Sequence, residues 1–595
     1  PTILTVCTAQ LPESLFPYDG SHLPAKANLL AILYEDPYDS VGGEDVPVIL
    51  DRMPTLANGS LRLEPVAVQR GQTVVDAEGD LAVFQPGLAV RPSGCRQADC
   101  VVLWDGEAPL QMDRMVVSFS LRAGLAWSDG EPVSAGDSVF SFQLADAPEA
   151  PGLHWATDRS DAYQALDETT VQWIGRPGFA TADISRFFWT PLPSHLFEGQ
   201  QAWAEIAASE ALARTPLAYG PFQIQAREGD RILLTPNPHY YRAEEGLPLL
   251  DELVFRQMDG GREGAIQALA AGACDVLDES FGWANDPARL WQIASEGLAK
   301  IQAQSGEAWW QLVFGIVPAD YDDVYNPAQG DRPDFFGDPA VRRAIAACLD
   351  REALRELALG DWGQSWPSFL PPEGSQLPPD AGLTFNPEQG AAALEAAGWL
   401  DTDGDPTTPR VAVNVPGILA GTEFQLELLA DTTQFQGDMA AFIQANLAGC
   451  GIKVTIQTLT PQALYAPGPA GPLFGRRFDL ALIAWRPDPA LDCRFYLDQA
   501  IPNPDNQWVG TNIAGLAQPG YDQACATASL AFGEERSAAI QAAELAFLNN
   551  LPALPLFSPP QVVVFSPKLC VAERLTAGKG LFIGVERLTG DKNCP

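Results

Sequence analysis

The chain has 595 residues, too long for one hydrophobic core, and 46% of them are hydrophobic and 9% aromatic, enough to fill two or three lobes. Its 36 Lys and Arg stand against 76 Asp and Glu, a formal charge of −40, which repels phosphate backbones and anionic lipid and argues against nucleic acid as a partner. Solubility is the plain reading of that charge, and a cleft favouring cationic ligands is the sharper one.

Taken in chain order, residues 42–113 are rich in turns, with short β-like runs at Ala82–Phe84 and Val101–Trp104. Val116–Leu121 alternates as a strand, with Val117, Phe119 and Leu121 on one face. Ser134 and Asp137 have the spacing of a capping box, and Val139, Phe140, Phe142 and Leu144 follow on the helix it opens. Arg231–Leu234 and Leu253–Phe255 read as strands. From about residue 260 helices dominate. Asp338-Pro339 starts one whose stripe is Val341, Ala344, Ile345, Cys348 and Leu349, and Asn386-Pro387 starts another that Gly398 ends. Met439, Phe442, Ile443 and Leu447 stripe a third, and then Ile452, Val454 and Ile456 alternate as a strand. Leu480–Trp485 suits a strand buried on both faces, and Ala538–Leu548 a last long helix. The pattern is mixed α/β.

No run is long enough to cross a bilayer; Gln561–Phe565 is far too short. The chain begins at Pro1 without a Met, as expected of a trimmed form, and a lipid-anchored Cys ahead of Pro1 is compatible with it. Ten cysteines occur, none in a CxxC pair, and the only histidines are His22, His154, His195 and His239. Zinc and iron–sulfur sites therefore lack ligand clusters, and no metal or cofactor is expected. Cys95 and Cys100 flank a short polar loop and are expected to form a local disulfide, with Cys570 and Cys594 a weaker pair. Cys348 and Cys450 lie beside apolar helix faces and are expected to be buried free thiols.

The stretch Leu121–Phe142, LRAGLAWSDGEPVSAGDSVFSF, is similar to the long motif of peptide-type solute-binding proteins. Gly124, Trp127, Asp129, Gly130, Pro132, Ala135, Asp137 and Phe140 match it. Further blocks follow in that family's order: GPFQI from Gly220, NPHYY from Asn237, LDELVF from Leu250, Ala268–Val276, Asp338–Glu352, Phe478–Trp485 and Leu551–Phe557. Over roughly residues 115–560 the chain resembles the family 5 extracellular solute-binding proteins of ABC importers, the oligopeptide/dipeptide-binding class.

The resemblance implies a periplasmic-binding-protein-like α/β fold of type II, three-lobed, closing by a hinge. Lobe I would comprise residues 1–40, 176–258 and 561–595, lobe II the β-rich insertion 41–175, and lobe III residues 259–560. It implies reversible capture of a peptide or similar small solute and delivery to permease subunits in the membrane. It also implies an extracytoplasmic, lipid-anchored location and a monomer. Such a protein needs a cleft with aromatic walls and a few polar anchors, but no nucleophile–base pair.

By that resemblance Asp488, in Ala484-Trp-Arg-Pro-Asp488, is the acidic residue that pairs with a ligand α-ammonium, against the plainer reading of an Asp-Pro turn. Trp485 would stand at the cleft, against core packing. Trp309 and Trp310 match a strand near ligand, and alternation sends one to the cleft and one to the core. Trp362 and Trp366, in a Gly-rich turn, are weaker candidates of the same kind. Asp401–Asp405 has part of the spacing of a calcium loop but lacks the remaining ligands, so a solvated turn is the expectation. No GxSxG, HExxH or P-loop occurs, and Gly578-Lys-Gly580 lacks the Ser or Thr that must follow the Lys. Catalytic residues are therefore not expected. The alternatives are an extracellular hydrolase of peptides or glycans, the glycan chemistry calling for paired carboxylates, and a surface sensor reusing the fold.

Overall fold

In this computed structural model every residue is described except 1, 42–43, 97–99, 152–153, 198, 200–201, 284–285, 307, 373, 379–380, 406–407, 487–491, 570–581, 583 and 589–595. The chain divides into two units. Unit 1 takes residues 1–304 and 561–595, and unit 2 takes residues 305–560.

Unit 1 holds a seven-stranded sheet in the order Phe222–Glu228, Arg231–Pro236, Glu252–Gln257, Ile3–Thr8, Val276–Leu277, Pro560–Phe565, Lys300–Ser305. Its central strands are parallel: Ile3–Thr8 runs alongside Glu252–Gln257 on one side and Val276–Leu277 on the other. The disulfide Cys7–Cys274 ties the first of these strands to the approach of the third.

A second, antiparallel sheet contains Ser160–Ala165, Thr170–Gly175, Leu110–Ser120 and Leu61–Val68. The predicted strand at Val116–Leu121 is the end of the long strand Leu110–Ser120, and its face of Val117, Phe119 and Leu121 is buried. Cys95 and Cys100 are bridged, as expected.

The capping box forms as read from the sequence. Ser134 Oγ accepts from the Asp137 amide at 3.3 Å, the Ser134 amide donates to Asp137 Oδ2 at 2.9 Å, and the helix Ala135–Ala145 follows. Asp137 does more than cap. Its Oδ1 accepts from the Ser194 amide at 3.0 Å and from the Ser194 hydroxyl at 2.6 Å, while Trp127 Nε1–H donates to Oδ2 at 3.3 Å. Asp129 pairs with His195 at 3.0 Å. Gly130 has φ +96°, and a Cβ there would come within 3.3 Å of the His239 ring. The long motif therefore builds a structural corner, which accounts for its residue types without a ligand.

Unit 2 is built on a six-stranded sheet in the order Gln364–Ser365, Ala553–Ser558, Trp309–Phe314, Leu480–Trp485, Gln425–Asp431, Lys453–Leu459. The last three strands run parallel, and Trp309–Phe314 runs against them. Leu480, Ala481, Leu482 and Ile483 are all fully buried, as a strand covered on both faces requires.

The helices start where their caps predict. Asp338 caps Pro339–Cys348 by accepting from the Ala340 amide at 2.8 Å, and Asn386 caps Pro387–Ala396 by accepting from the Gln389 amide at 3.0 Å. The stripe Val341, Ala344, Ile345, Cys348, Leu349 is buried throughout. The long helix Gly533–Asn550 begins ahead of the predicted Ala538.

The cysteine reading needs one correction. Cys348 and Cys450 are not free thiols; they form a disulfide with 6.2 Å between Cα atoms. The apolar stripes that bury them also bring together the end of helix Pro339–Cys348 and the turn after helix Gln434–Ala448. Gly390 is the clearance for this bridge, since a Cβ there would lie 2.5 Å from Cys348 Sγ. Two further bridges, Cys7–Cys274 and Cys493–Cys525, were not anticipated. Cys570 and Cys594 lie outside the described residues.

Candidate functional site

The strand directions of unit 2 collect the candidate tryptophans at one edge. The three parallel strands end there, at Asp431, Leu459 and Trp485. The antiparallel register places Trp309 opposite Trp485, and Trp310 opposite Ala484 and Phe557. Gln364 pairs with Ser558, so Trp362, two residues earlier, belongs to the same edge. In open α/β sheets ligands bind outside the carboxyl ends of the parallel strands. Both ends of the unit 2 segment also meet here: the Ser558 hydroxyl donates to the Gly306 carbonyl at 2.7 Å.

Each tryptophan has its own setting. Trp485 is half-buried, stacked on Phe495 with centroids 6.0 Å apart and flanked by Tyr465 and Phe474, each at 6.4 Å. Trp310 is half-buried against Phe435 at 5.6 Å. Trp309 is fully buried, its ring 5.6 Å from that of Trp366 and nearly parallel to it, so of the adjacent pair Trp309 is the core residue. Trp362 is half-buried. Asp488 lies outside the described residues.

Sequence reasoning missed Phe435, Phe495, Gln311 and Tyr496 at this edge. Tyr496 donates its hydroxyl proton to Gln311 Oε1 deep in the core. No local pattern brings residues 493–496 to the strand at 309–314. What holds them is the Cys493–Cys525 bridge and the hydrogen bond from the Tyr521 hydroxyl to the Cys493 carbonyl.

The corresponding edge of unit 1 is acidic. After strand Val276–Leu277 come Asp278, fully buried, and Glu279. Asp278 Oδ1 accepts from the Ser280 amide at 3.1 Å and from the Ser280 hydroxyl, and Asn28 Nδ2 donates to Glu279 at 3.3 Å. Burial pushes the Asp278 carboxyl up to about 6, and burial together with the charge of Asp278 pushes Glu279 up to about 7.

The Asp401–Asp405 turn is satisfied by its own chain. Asp401 Oδ1 accepts from the Gly404 amide at 2.8 Å, and Asp403 accepts from the Asp405 amide at 3.0 Å and the Thr408 hydroxyl at 2.9 Å. Among the described residues no group of three His, Cys, Asp or Glu is arranged to hold a metal, and no helix is long and apolar enough to cross a membrane.

Residues 107–506, more than half of the chain, match the sequence model of the bacterial extracellular solute-binding proteins, family 5, middle region. The chain belongs to that family. Relatives within and around it are distant. The oligopeptide-binding protein AppA of Bacillus subtilis is 23% identical over 360 residues, 58% of each chain. The periplasmic alpha-galactoside-binding protein of Rhizobium meliloti is 24% identical over 408 residues, 62% of this chain and 54% of its own. The alignments therefore span less than two thirds of these relatives' lengths. In three dimensions the ABC transporter substrate-binding protein CtaP of Listeria monocytogenes covers 97% of this chain and 98% of its own, with a TM-score of 0.64 at 16% identity. The fold expected from the sequence, α/β and periplasmic-binding-protein-like of type II, is the fold of this family 5 chain.

Proposed function

We propose that this family 5 protein is an extracytoplasmic solute-binding protein that captures a peptide or similar small solute and hands it, unaltered, to the permease of an ABC importer. Family membership over residues 107–506 carries the reading. The aromatic edge of unit 2 supports it, because stacked and half-buried rings at the carboxyl ends of parallel strands hold a guest without reacting with it. The relatives named for oligopeptides and for alpha-galactosides widen the solute class beyond one chemistry.

In this reading Trp485 and Trp310 wall the solute, Trp362 flanks it and Trp309 backs the wall from the core. Asp488 receives a ligand ammonium. The lobes that the family resemblance implies close by a hinge. The protein acts as a lipid-anchored monomer and catalyses nothing.

The test is native mass spectrometry of the purified protein, followed by thermal melting with the solute it releases. The expected result is one bound small molecule per chain and a melting point that rises with its concentration. Trp485→Ala is expected to weaken binding about tenfold through lost stacking. Asp488→Asn is expected to weaken peptide ligands selectively. Catalytic turnover of peptides or glycans, abolished by one carboxylate substitution, would replace this reading with a hydrolase.

A further inference from the structure

The chain passes between its two units twice, after Gln304 and after Pro560. Both passages join neighbouring strands to neighbouring strands. Lys300–Ser305 and Pro560–Phe565 are adjacent in the unit 1 sheet, and Trp309–Phe314 pairs with Ala553–Ser558 in the unit 2 sheet. Residues 306–308 make one connection, and Pro559 alone makes the other.

The two connections differ in stiffness. Gly306 opens the first, with no side chain to restrict its backbone, whereas Pro559 and Pro560 fix φ along the second. Left to themselves they would bend independently. Two features join them. A Cβ on residue 306 would stand 2.1 Å from the Pro559 carbonyl oxygen, so only glycine allows this approach. Ser558, 1% exposed, reaches both backbones: its hydroxyl donates to the Gly306 carbonyl at 2.7 Å, and the Pro559 carbonyl lies 3.2 Å from the same oxygen. A hydroxyl has one proton, and the shorter contact takes it across from one connection to the other.

We propose that Ser558 is a clasp: its hydroxyl holds the Gly306 carbonyl so that the two connections flex as one, and the missing side chain of Gly306 lets the clasp close. The inference rests on the solute-binding reading above, in which the lobes close by a hinge, and assigns positioning residues to that motion. Ser558 acts through the backbone. With the clasp fastened, the glycine connection moves only as far as the proline connection allows, so opening and closing follow one path. Without it the glycine connection is free to twist and the path widens.

Double electron–electron resonance on the full chain reads this motion without a solute. Every described cysteine is in a disulfide, so the nitroxides are attached to p-acetylphenylalanine in place of Trp291 in unit 1 and Leu357 in unit 2, both exposed. Ser558→Ala is expected to widen the distance distribution roughly twofold, and Ser558→Thr, which keeps a hydroxyl, to leave it at the wild-type width. Gly306→Ala is expected to widen it too, because the added Cβ forces the connections apart. A hydroxyl that served stability alone would lower the melting point and leave the distribution as it was. Equal widths in wild type and Ser558→Ala, or equal widening by Ser558→Ala and Ser558→Thr, overturn the proposal. If Gly306→Ala or Ser558→Thr does not fold, Ser558→Ala against wild type decides alone. A protein that captures a solute while its distribution ignores Ser558→Ala keeps the transport reading and loses the clasp. A distribution that depends on Ser558 in a protein that captures no solute does the reverse.

Discussion

The two units present the same architectural feature, the carboxyl edge of parallel strands, with opposite chemistry. In unit 1 it carries Asp278 and Glu279, carboxyls held above their ordinary range mainly by burial. In unit 2 it carries tryptophans and an amide whose N–H groups find no acceptor among the described residues. Each unit also carries a disulfide of long sequence separation, Cys7–Cys274 in one and Cys348–Cys450 in the other. A shared topology thus fixes where side chains converge, while the residues just past each strand decide what that place attracts.

The contrast can be broken most sharply through unit 2. Its Cys348–Cys450 bridge closes a span of 102 residues, so the double Ser variant is expected to lose about 4–5 kcal/mol by loop-closure entropy. Denaturant unfolding followed by tryptophan fluorescence reads this. A loss under about 1 kcal/mol would show that residual structure or native strain offsets the bridge.

Next comes the acidic edge. Because the folded pKa values of Asp278 and Glu279 lie above those of an unfolded chain, about 4, the native state binds more protons between pH 4 and 7. Stability is therefore expected to fall as pH rises through that window. Asp278→Asn should flatten the fall. It should do so equally in the variant lacking the unit 2 bridge, and a melting point that instead rises toward pH 7 would remove the acidic edge from the comparison.

The smallest effect belongs to neither edge. Ser134→Ala removes one side of the capping box in unit 1 and is expected to cost about 1 kcal/mol, measured by the same denaturation. Equal losses from Ser134→Ala and from the bridge variant would mean that unfolding is not governed by the long-range links.

How much of this could be read from residues alone depended on distance along the chain. Ser134 with Asp137, Asp338 with Pro339 and Asn386 with Pro387 act within one helical turn, so their helices were legible. The burial of Cys348 and Cys450 was legible from their stripes, but their pairing was not, because nothing local joins positions so far apart. Alternation placed Trp309 and Trp310 on opposite faces. Which of them enters the core was decided by Trp366, delivered from a distant turn. The surplus of donors was invisible, since it depends on which acceptors arrive. The motif around Trp127 and Asp137 pointed to the family although its residues serve a structural corner.

The strand Pro560–Phe565 sits inside the unit 1 sheet, between Val276–Leu277 and Lys300–Ser305, yet it is synthesised after the whole of unit 2. A chain emerging from its N-terminus therefore holds an unfinished sheet with two strand edges open until residues 560–565 appear, while the continuous segment of unit 2 already has all of its described strands. Folding is thereby ordered in time: the interrupted sheet is completed only after the uninterrupted segment has been made, and the strand edges beside the gap stay unpaired until Pro560–Phe565 fills it.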